Sequence, residues 1–464
     1  MERTLTSETP KKIGETVLLK GWIAGRRDHG KLIFIDVRDR WGIVQVVFTP
    51  ADAGLLKEAD RLRPEWVVAV GGTVKERPKG MENPDTPTGA IEIEATDLEI
   101  LSKAKTPPFA LDTNGYEIGE EHRLKYRYLD LRRPRLQKNL FFRDKAISHI
   151  RGFLHERDFI EIETPHITKS TPEGARDFVV PSRLYPGKFY ALPQSPQQYK
   201  ELLMVAGFER YFQIARAFRD EDTRGDRQPE HTQLDIEMSF VEREDVLALI
   251  EKLLIDLVGT VAPEKRIAQI PFPRLTHGEA TAKYSSDKPD LRADKNDPNE
   301  LAFCWVIDFP LFERDKKTGG MTYSHNPFTA PKPEYADDLR EGRNLEKIVS
   351  QQYDVVLNGF EVGSGSIRIS NSELLKKVFL ILGHGEEKIR KDFGHMLEAF
   401  SYGVPPHGGI ACGLDRVVMI LQNEPNIREV IAFPKTGDAR DLMMDAPSDI
   451  SEEQMKELHI RITK

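Results

Sequence analysis

The stretch from Tyr211 to Phe240 constrains the fold of this chain most strongly, because it reads as a strand, a charged loop and a second strand. The second arm alternates between polar and mostly apolar positions, as a strand does. One of its faces carries a row of polar side chains: His231, Gln233, Asp235 and Glu237. Since the loop is rich in arginine, such a hairpin can hold a polyanion such as a nucleoside triphosphate. The pattern alone leaves open an ordinary amphipathic hairpin with a charged tip.

The composition predicts a globular protein of roughly two or three domains. Of the 464 residues, 39% are hydrophobic and 31% charged. No apolar run reaches the ~18 residues of a membrane span, and residues 1–15 lack the apolar core of a signal peptide. Cys304 and Cys412 are far apart, so we expect small buried thiols in a reducing cytoplasm. The net charge of −8 means that an RNA partner would need local basic patches.

Residues 16–101 predict five short strands with a helix over residues 51–63, after the third strand. This order is typical of an OB-fold barrel. Arg26, Arg27, Phe34 and Gln45 offer the aromatic and basic groups that bind single-stranded nucleic acid. The alternative places Phe34 in the core and both arginines in a solvated turn.

The sequence of the hairpin, FRDED followed by RQPEHTQLDIEMSF, resembles motif 2 of the class II aminoacyl-tRNA synthetases that charge Asp, Asn and Lys. A helix predicted from Leu136, followed by a strand that ends at Pro165, resembles motif 1, which builds the dimer interface in that family. HGGIACGLDRVVMIL resembles motif 3. GSGSIR lacks the spacing of a dinucleotide fingerprint, and neither a Walker A motif nor the class I signatures occur.

The resemblance is strongest to bacterial aspartyl-tRNA synthetases and implies an α+β, multidomain architecture. An OB-fold anticodon-binding domain would span 1–104, a linker 105–135, and a catalytic domain 136–464 with an antiparallel sheet flanked by helices. Motif 1 would occupy about 141–168, motif 2 about 211–240 and motif 3 about 407–422, with the bacterial insertion domain reduced to a connector near 290–301. The basic run in the linker would lie along tRNA phosphates or form a solvated hinge: Arg123, Lys125, Arg127, Arg132 and Arg133.

The implied reaction is ATP-dependent activation of L-aspartate to aspartyl-adenylate and transfer to tRNA(Asp). Since the nucleophile is a carboxylate already ionised at pH 7, the enzyme needs positioning and charge neutralisation rather than a general base. By resemblance, Arg219, Glu361 and Arg416 are catalytic, and Asp354 and Glu361 hold Mg²⁺. His231 stands where the family usually has a Phe that stacks on adenine. The implied ATP-binding residues are Arg219, Asp220, Glu221, Gln228, His231, Glu361, Gly413, Leu414, Asp415 and Arg416.

The resemblance also implies an aspartate pocket. Its residues would be Glu173, Ser195, Gln197, Lys200, Arg219, Asp235, His325 and Arg368. Two cations in a closed pocket, Lys200 and Arg368, demand a carboxylate, and we expect asparagine to leave them unneutralised.

The partners implied by the resemblance are tRNA(Asp), L-aspartate and a second copy of the chain, in the cytoplasm and away from membranes. Anticodon contacts would come from Arg26, Arg27, His29, Phe34, Gln45 and Gly80. His29 and Gly80 are also typical of members that charge tRNA(Asn), which would link the protein to an amidotransferase. The alternative is that either is a simple turn residue, Gly80 especially.

Two other functions remain open at this point. An asparaginyl-type synthetase is disfavoured by Lys200 and Arg368. A non-catalytic RNA-binding paralogue is disfavoured by the joint presence of Arg219, Glu361 and Arg416.

Overall fold

The computed structural model describes residues 1–170, 174–315 and 319–463. Two compact units are present, Met1–Gly119 and Glu120–Lys464. None of the helices in these described ranges is long and apolar enough to cross a bilayer.

The first unit is a closed five-stranded barrel with the strand order β1-β2-β3-β5-β4. Its elements are β1 (Thr16–His29), β2 (Leu32–Arg38), β3 (Ile43–Phe48), α1 (Ala53–Asp60), β4 (Val67–Glu76) and β5 (Ile91–Ser102). The predicted OB-fold, with its helix after the third strand, is confirmed.

Alternation in the barrel strands separates an apolar interior from a polar exterior. In β2, Ile33, Ile35 and Val37 are buried in the barrel core, whereas Phe34 and Asp36 face outward. The helix α1 begins where the Asp52 side chain accepts a hydrogen bond from the backbone N–H of Leu55, at 2.9 Å. The outward-facing side chains of β2 therefore take no part in the barrel core.

The second unit combines helices with a large sheet. Its helices are α2 (Glu120–Lys125), α3 (Arg127–Asp130), α4 (Pro134–His155), α5 (Gln197–Val205), α6 (Arg243–Val261), α7 (His277–Tyr284), α8 (Ala336–Glu341), α9 (Ser372–Ile381), α10 (Glu386–Ser401), α11 (Leu414–Leu421) and α12 (Glu452–Glu457). Its strands are β6 (Ile160–Glu161), β7 (Val179–Pro181), β8 (Phe189–Ala191), β9 (Arg210–Phe218), β10 (Glu230–Ser239), β11 (Arg266–Ile267), β12 (Arg274–Thr276), β13 (Glu300–Leu301), β14 (Phe303–Ile307), β15 (Phe312–Arg314), β16 (Met321–Tyr323), β17 (Gln352–Leu357), β18 (Phe360–Ile367) and β19 (His407–Gly413).

In the described residues the main sheet has eight strands, in the order β12-β14-β17-β18-β19-β10-β9-β6. The predicted hairpin is its centre: β10 pairs antiparallel with β9 on one side and with β19 on the other. Leu234 and Ile236 of β10 join the same core cluster as α6, whose apolar residues recur three and four apart. One face of β10 is thus covered by apolar side chains, and the opposite face carries the polar row.

Motif 1 differs from the prediction in its strand. The helix α4 forms as expected, but β6 has only two residues and stops before Pro165. The strand lies at the sheet edge, parallel to β9. An edge position is compatible with a nearby proline, since no second neighbour needs its missing N–H.

Three arginines of the predicted linker lie within the second unit and are buried there. Arg123 donates to Glu429 at 2.6 Å, while Arg127 and Arg133 donate to Asp130 at 2.8 and 2.7 Å. All three side chains are buried. For Arg123, Arg127 and Arg133, both interpretations, a tRNA-phosphate track and a solvated hinge, are therefore wrong, because each guanidinium is committed to a buried carboxylate. Lys125 is exposed and Arg132 is half-buried, so for these two the contact with tRNA stays a prediction.

Candidate active site

A cavity of about 570 Å³ opens on the polar face of the hairpin. It is bounded by β10, the start of α5, β18 and the start of α11. The expected site residues on its wall are Ser195, Gln197, Lys200, Arg219, Glu221, Gln228, His231, Asp235, His325, Glu361, Arg368, Gly413, Asp415 and Arg416. The residues that were far apart in sequence thus meet around one space.

Three expected residues do not line this cavity. Asp220 is half-exposed, with its carboxylate 3.7 Å from Arg176. The Leu414 side chain packs in the core, so at most its backbone can face a ligand. Asp354 is buried behind the wall, at 1% exposure. Glu173 lies outside the described residues.

The carboxylate of Asp415 joins the three motif segments. Arg143 on α4 donates to one oxygen at 2.5 Å, and the backbone N–H of Thr232 on β10 donates to the other at 3.0 Å. Asp415 itself stands in the first turn of α11. Hydrogen bonds to an ionised group are the stronger kind, so this residue fixes the wall rather than offering a free carboxylate.

The hairpin loop side of the cavity offers cations and one buried donor. The Arg416 guanidinium donates to the Glu361 carbonyl oxygen at 2.8 Å and lies 3.1 Å from the Asp226 carboxylate. Gln228 accepts from the backbone N–H of Lys435 at 2.7 Å through its oxygen. Its Nε2 is buried without a hydrogen-bond partner. Since buried polar groups are normally paired, this amide is ready for an acceptor on a ligand.

His231 presents a neutral ring to the cavity. Burial, together with the charge of the nearby Arg219, lowers the pKa of His231 to about 4. An uncharged aromatic ring can stack on a base, as the phenylalanine expected at this place would.

Two carboxylates stand on neighbouring strands, β17 and β18. The Glu361 carboxylate is on the wall and lies 2.8 Å from the Lys288 ammonium. Asp354 accepts from Gln352 at 2.9 Å and lies 3.3 Å from His325 Nε2. Burial favours the neutral forms of this pair, but mutual attraction outweighs it, lowering the pKa of Asp354 and raising that of His325. Within the described ranges, no cluster of three or more potential metal ligands occurs.

At the α5 side of the cavity, the two expected cations are already paired. Lys200 lies 3.1 Å from Asp235 and 3.2 Å from Glu237, and Arg368 donates to both oxygens of Glu237 at 2.9 and 3.1 Å. The expectation that the cations need a substrate carboxylate for neutralisation was wrong, because it omitted Glu237. Gly409 leaves room for this network: a Cβ there would lie 2.2 Å from the Glu237 carboxylate.

Sequence reasoning missed three buried residues of this region. Glu237 was visible on the polar face of β10 but received no role, although strand alternation placed it beside Asp235. Glu201 and His407 are both fully buried and lie 3.2 Å apart. Helix and strand periodicity carry no signal for such a pair, since the two residues are distant in the chain.

In the barrel, the expected anticodon residues mostly face outward. Arg27 holds Asp36 through two hydrogen bonds, at 2.8 and 3.0 Å, and reaches Gln45 at 3.2 Å. Phe34 is directly opposite Arg27 across the strand pair and is not in the barrel core. The alternative that buried Phe34 is therefore wrong.

The remaining expected anticodon residues differ in exposure. Arg26 is mostly buried and lies 2.9 Å from Asp60. His29 and Gly80 are both exposed, and Gly80 has a positive φ of 86°. His29 ends β1, and Gly80 lies in a turn where its backbone N–H donates to the Glu82 carboxylate at 2.7 Å.

A family profile described as tRNA synthetases class II (D, K and N) matches residues 119–437, and one described as an OB-fold nucleic acid binding domain matches 17–101. The chain belongs to the class II aminoacyl-tRNA synthetases. It is therefore a ligase of that class, and the cavity occupies the part of the synthetase that the larger profile covers.

Similar synthetases of known sequence include an aspartate–tRNA(Asp/Asn) ligase of Rubrobacter xylanophilus, 46% identical, with 97% of this chain and 95% of the relative covered. An aspartate–tRNA(Asp/Asn) ligase of Symbiobacterium thermophilum is 42% identical, with 98% of both chains covered. These alignments run over 573 and 589 positions, more than the 464 residues of this synthetase. The relatives therefore contain segments that this chain lacks.

Solved synthetase structures share the fold. The asparaginyl-tRNA synthetase of Pyrococcus horikoshii, complexed with asparaginyl-adenylate, superposes with a TM-score of 0.75 at 23% identity and covers 94% of this chain and 98% of its own. A structure described as a putative aspartyl-tRNA synthetase of Leishmania major gives 0.76 at 20% identity, over 93% and 94% of the two chains.

Proposed function

We propose that this synthetase activates L-aspartate with ATP and transfers it to tRNA(Asp). The observation that carries the proposal is the pair of cations, Lys200 and Arg368, on the cavity wall at 1% and 4% exposure. The names of the relatives agree with aspartate as substrate.

The hydrogen-bond donors of Lys200 and Arg368 favour a substrate with a side-chain carboxylate over one with a side-chain amide. A guanidinium has five N–H bonds, and Arg368 uses three of them, two on Glu237 and one on the Ser366 hydroxyl. Further N–H bonds of Arg368 and Lys200 remain for a ligand, and neither residue can accept a hydrogen bond. An aspartate side chain accepts with both oxygens, whereas an asparagine amide would direct its NH₂ group at a donor.

The first chemical step needs charge control around the α-phosphorus. An oxygen of the aspartate α-carboxylate attacks that phosphorus, the bond to the bridging oxygen breaks, and diphosphate leaves with the bonding electrons. Arg219 and Arg416 both lie on the wall, and we propose that they neutralise the developing charge. In the second step, a hydroxyl of the terminal ribose of tRNA attacks the adenylate carbonyl and releases AMP.

The residues fit Mg²⁺ in part. Mg²⁺ is typically held by one or two carboxylates together with substrate phosphates, and it would neutralise phosphate charge. Glu361 presents a carboxylate to the cavity and fits this role. Asp354 would support the site from behind, since its carboxylate is already engaged by His325 and Gln352.

The proposed partners extend beyond the cavity. Dimerisation through motif 1 is supported by exposed apolar side chains on α4 and at the sheet edge, namely Phe141, Ile160 and Ile167, which are 43 to 56% exposed.

The exposed His29 and Gly80 support charging of tRNA(Asn) as well, and the product would then require an amidotransferase. We place these reactions in the cytoplasm, where translation takes place. The deletion near 290–301 and the domain boundaries stay predictions.

The activation step is tested by ATP–diphosphate exchange with purified protein. We expect exchange with L-aspartate and none with L-asparagine at equal concentration. Arg368→Leu should abolish the aspartate signal, whereas Arg340→Ala, at an exposed ion pair on α8, should preserve it. Exchange with asparagine alone would establish the asparaginyl-type alternative, and absence of exchange with either would revive the non-catalytic one.

A further inference from the structure

His407 and Glu201 form a buried pair behind the cavity. His407 begins β19 and Glu201 lies on α5, and both side chains are 0% exposed. The ring Nδ1 is 2.8 Å from the Pro405 carbonyl oxygen, and Nε2 is 3.2 Å from a Glu201 carboxylate oxygen. Neither residue lines the cavity.

The hydrogen-bond partners define the protonation of the ring. A carbonyl oxygen only accepts, so Nδ1 must carry a proton. The contact between Nε2 and Glu201 is satisfied either by a proton on Nε2 or by a proton that Glu201 donates to a neutral ring. The pKa of His407 is raised, which favours the first arrangement, a positively charged imidazolium.

The surroundings are compatible with that charge. Burial alone would lower the pKa of His407, but the Glu201 carboxylate and, further away, Glu237 outweigh burial and raise it. The Arg368 backbone N–H donates to the His407 carbonyl, at 3.0 Å, and the Phe400 ring lies edge-on, with ring centres 6.1 Å apart. The Arg368 guanidinium is itself neutralised by Glu237.

The other carboxylate oxygen of Glu201 connects the pair to a residue of the cavity wall. It accepts a hydrogen bond from Gln197 Nε2 at 2.6 Å. Gln197 lines the cavity beside Ser195. With the NH₂ side of its amide committed to Glu201, the oxygen is the side left for a ligand, and an amide oxygen is an acceptor for an ammonium group.

We propose that His407 and Glu201 are positioning residues that lock the Gln197 amide with its oxygen toward the α-ammonium of the amino-acid substrate. The inference rests on the proposed function for the identity of that substrate. The side-chain hydrogen bonds connect the pair to the cavity through Gln197, on the amino-acid side, so we expect it to affect amino-acid binding and to leave nucleotide binding unchanged.

The kinetic test uses Glu201→Gln, which keeps the side-chain shape but replaces one acceptor oxygen by a donor. His407 and Gln197 can then no longer both donate to residue 201. We expect the KM for aspartate in diphosphate exchange to rise about 10-fold or more, as is usual for losing a hydrogen bond to a charged group. The KM for ATP should change less than about twofold. His407→Gln, which keeps one N–H donor, should have a smaller effect, and His459→Gln, at an exposed histidine after α12, serves as the matched control.

The protonation test uses full-length wild-type protein labelled with ¹⁵N at histidine, with the His407 signals assigned by their loss in His407→Gln. We expect both ring nitrogens of His407 to be protonated at pH 7. A neutral ring, or an unchanged KM for aspartate in a folded Glu201→Gln protein, would overturn the proposal. If wild-type protein shows no aspartate-dependent exchange, the proposed function fails instead, and the ring measurement still reports on the pair.

Discussion

The carboxylate of Glu237 holds the guanidinium of Arg368 by two hydrogen bonds, of 2.9 and 3.1 Å, in a region with no solvent exposure at Glu237. The Lys200 ammonium lies 3.2 Å from the same carboxylate. We call Lys200 and Arg368, the two cations proposed to bind the aspartate side chain, the aspartate clamp. Both are thus held in place before any substrate arrives. Such preorganisation lowers the cost of ordering side chains during binding and reaction.

The clamp predicts that shape matters as well as charge at residue 368. Arg368→Lys keeps the positive charge but cannot hold Glu237 with two parallel N–H bonds. We expect the KM for aspartate to rise about 10- to 100-fold, since hydrogen bonds to charged groups contribute ~1.5–3 kcal/mol. Diphosphate exchange at varied aspartate measures this. An aspartate KM equal to that of the wild type would contradict the clamp.

His231 predicts a neutral stacking surface for the nucleotide. His231→Ala should raise the KM for ATP about 10-fold, because stacking of a base on an aromatic ring is worth ~1–3 kcal/mol. His231→Phe should restore the wild-type KM for ATP within about twofold. If alanine and phenylalanine at this position gave the same KM for ATP, the ring would not contact the base.

The lowered pKa of His231 also predicts a pH effect on stability. Its folded-state pKa of about 4 lies below the unfolded value of about 6.5. The unfolded state therefore takes up a proton first, and stability is lost as the pH falls from about 6.5 to about 4. The melting temperature of His231→Phe should fall less than that of wild type over this interval. Equal falls would indicate that His231 is charged in the folded protein.

Glu429 predicts a second contribution to acid sensitivity. Burial would raise the pKa of Glu429, but hydrogen bonds and charges from Arg123 and Arg135 outweigh it and lower this pKa to about 2. Glu429→Gln removes a charged partner from the buried Arg123 and the half-buried Arg135 and should destabilise the second unit by ~3 kcal/mol. Thermal melting at pH 7 measures this loss, with the exposed Glu121→Gln as control.

The lowered pKa of Glu429 determines the pH range in which this residue stabilises the folded protein. The folded-state pKa lies below the unfolded value of about 4.3, so the stabilisation is present above that pH and is lost as the pH falls toward about 2. The difference in melting temperature between wild type and Glu429→Gln should therefore shrink across this window. A difference independent of pH would show that the ion pair does not cause it.

Local patterns were sufficient to predict the hairpin, the barrel and the side of β10 that faces the cavity. Alternation determines side-chain direction along a strand, so Gln233 and Asp235 were placed correctly. The partners of buried charges were not predictable in this way. The bonds from Arg123 to Glu429 and from His407 to Glu201 join residues hundreds of positions apart, and no periodicity relates them.

The resemblance to the synthetase family identified other residues of the site, but it did not describe how they are arranged. It named Lys200 and Arg368, which the cavity brings together, but a list of matched cations gave no account of Glu237. It also named Leu414, whose side chain the first turn of α11 directs into the core. The correspondence of a residue to a motif does not state which of its atoms faces the ligand.

The exposed position of His29 in the barrel leads to a prediction about which tRNAs are charged. If this exposed residue helps to accept the tRNA(Asn) anticodon, His29→Leu should depress charging of tRNA(Asn) more than that of tRNA(Asp). The same variant should leave aspartate-dependent diphosphate exchange unchanged, since His29 belongs to the barrel and not to the cavity. Equal loss with both tRNAs would contradict a role in discrimination.

The most direct test of the central claim is charging of purified tRNA(Asp) and tRNA(Asn), each separately, with labelled aspartate, ATP and Mg²⁺. We predict acid-precipitable aspartate on tRNA(Asp), and on tRNA(Asn) as well if His29 and Gly80 act as proposed. Label on tRNA(Asp) alone would retain the aspartate–tRNA ligase and remove the dual-charging proposal. Absence of label from both tRNAs, with an enzyme that is folded and supplied with ATP, would contradict the account.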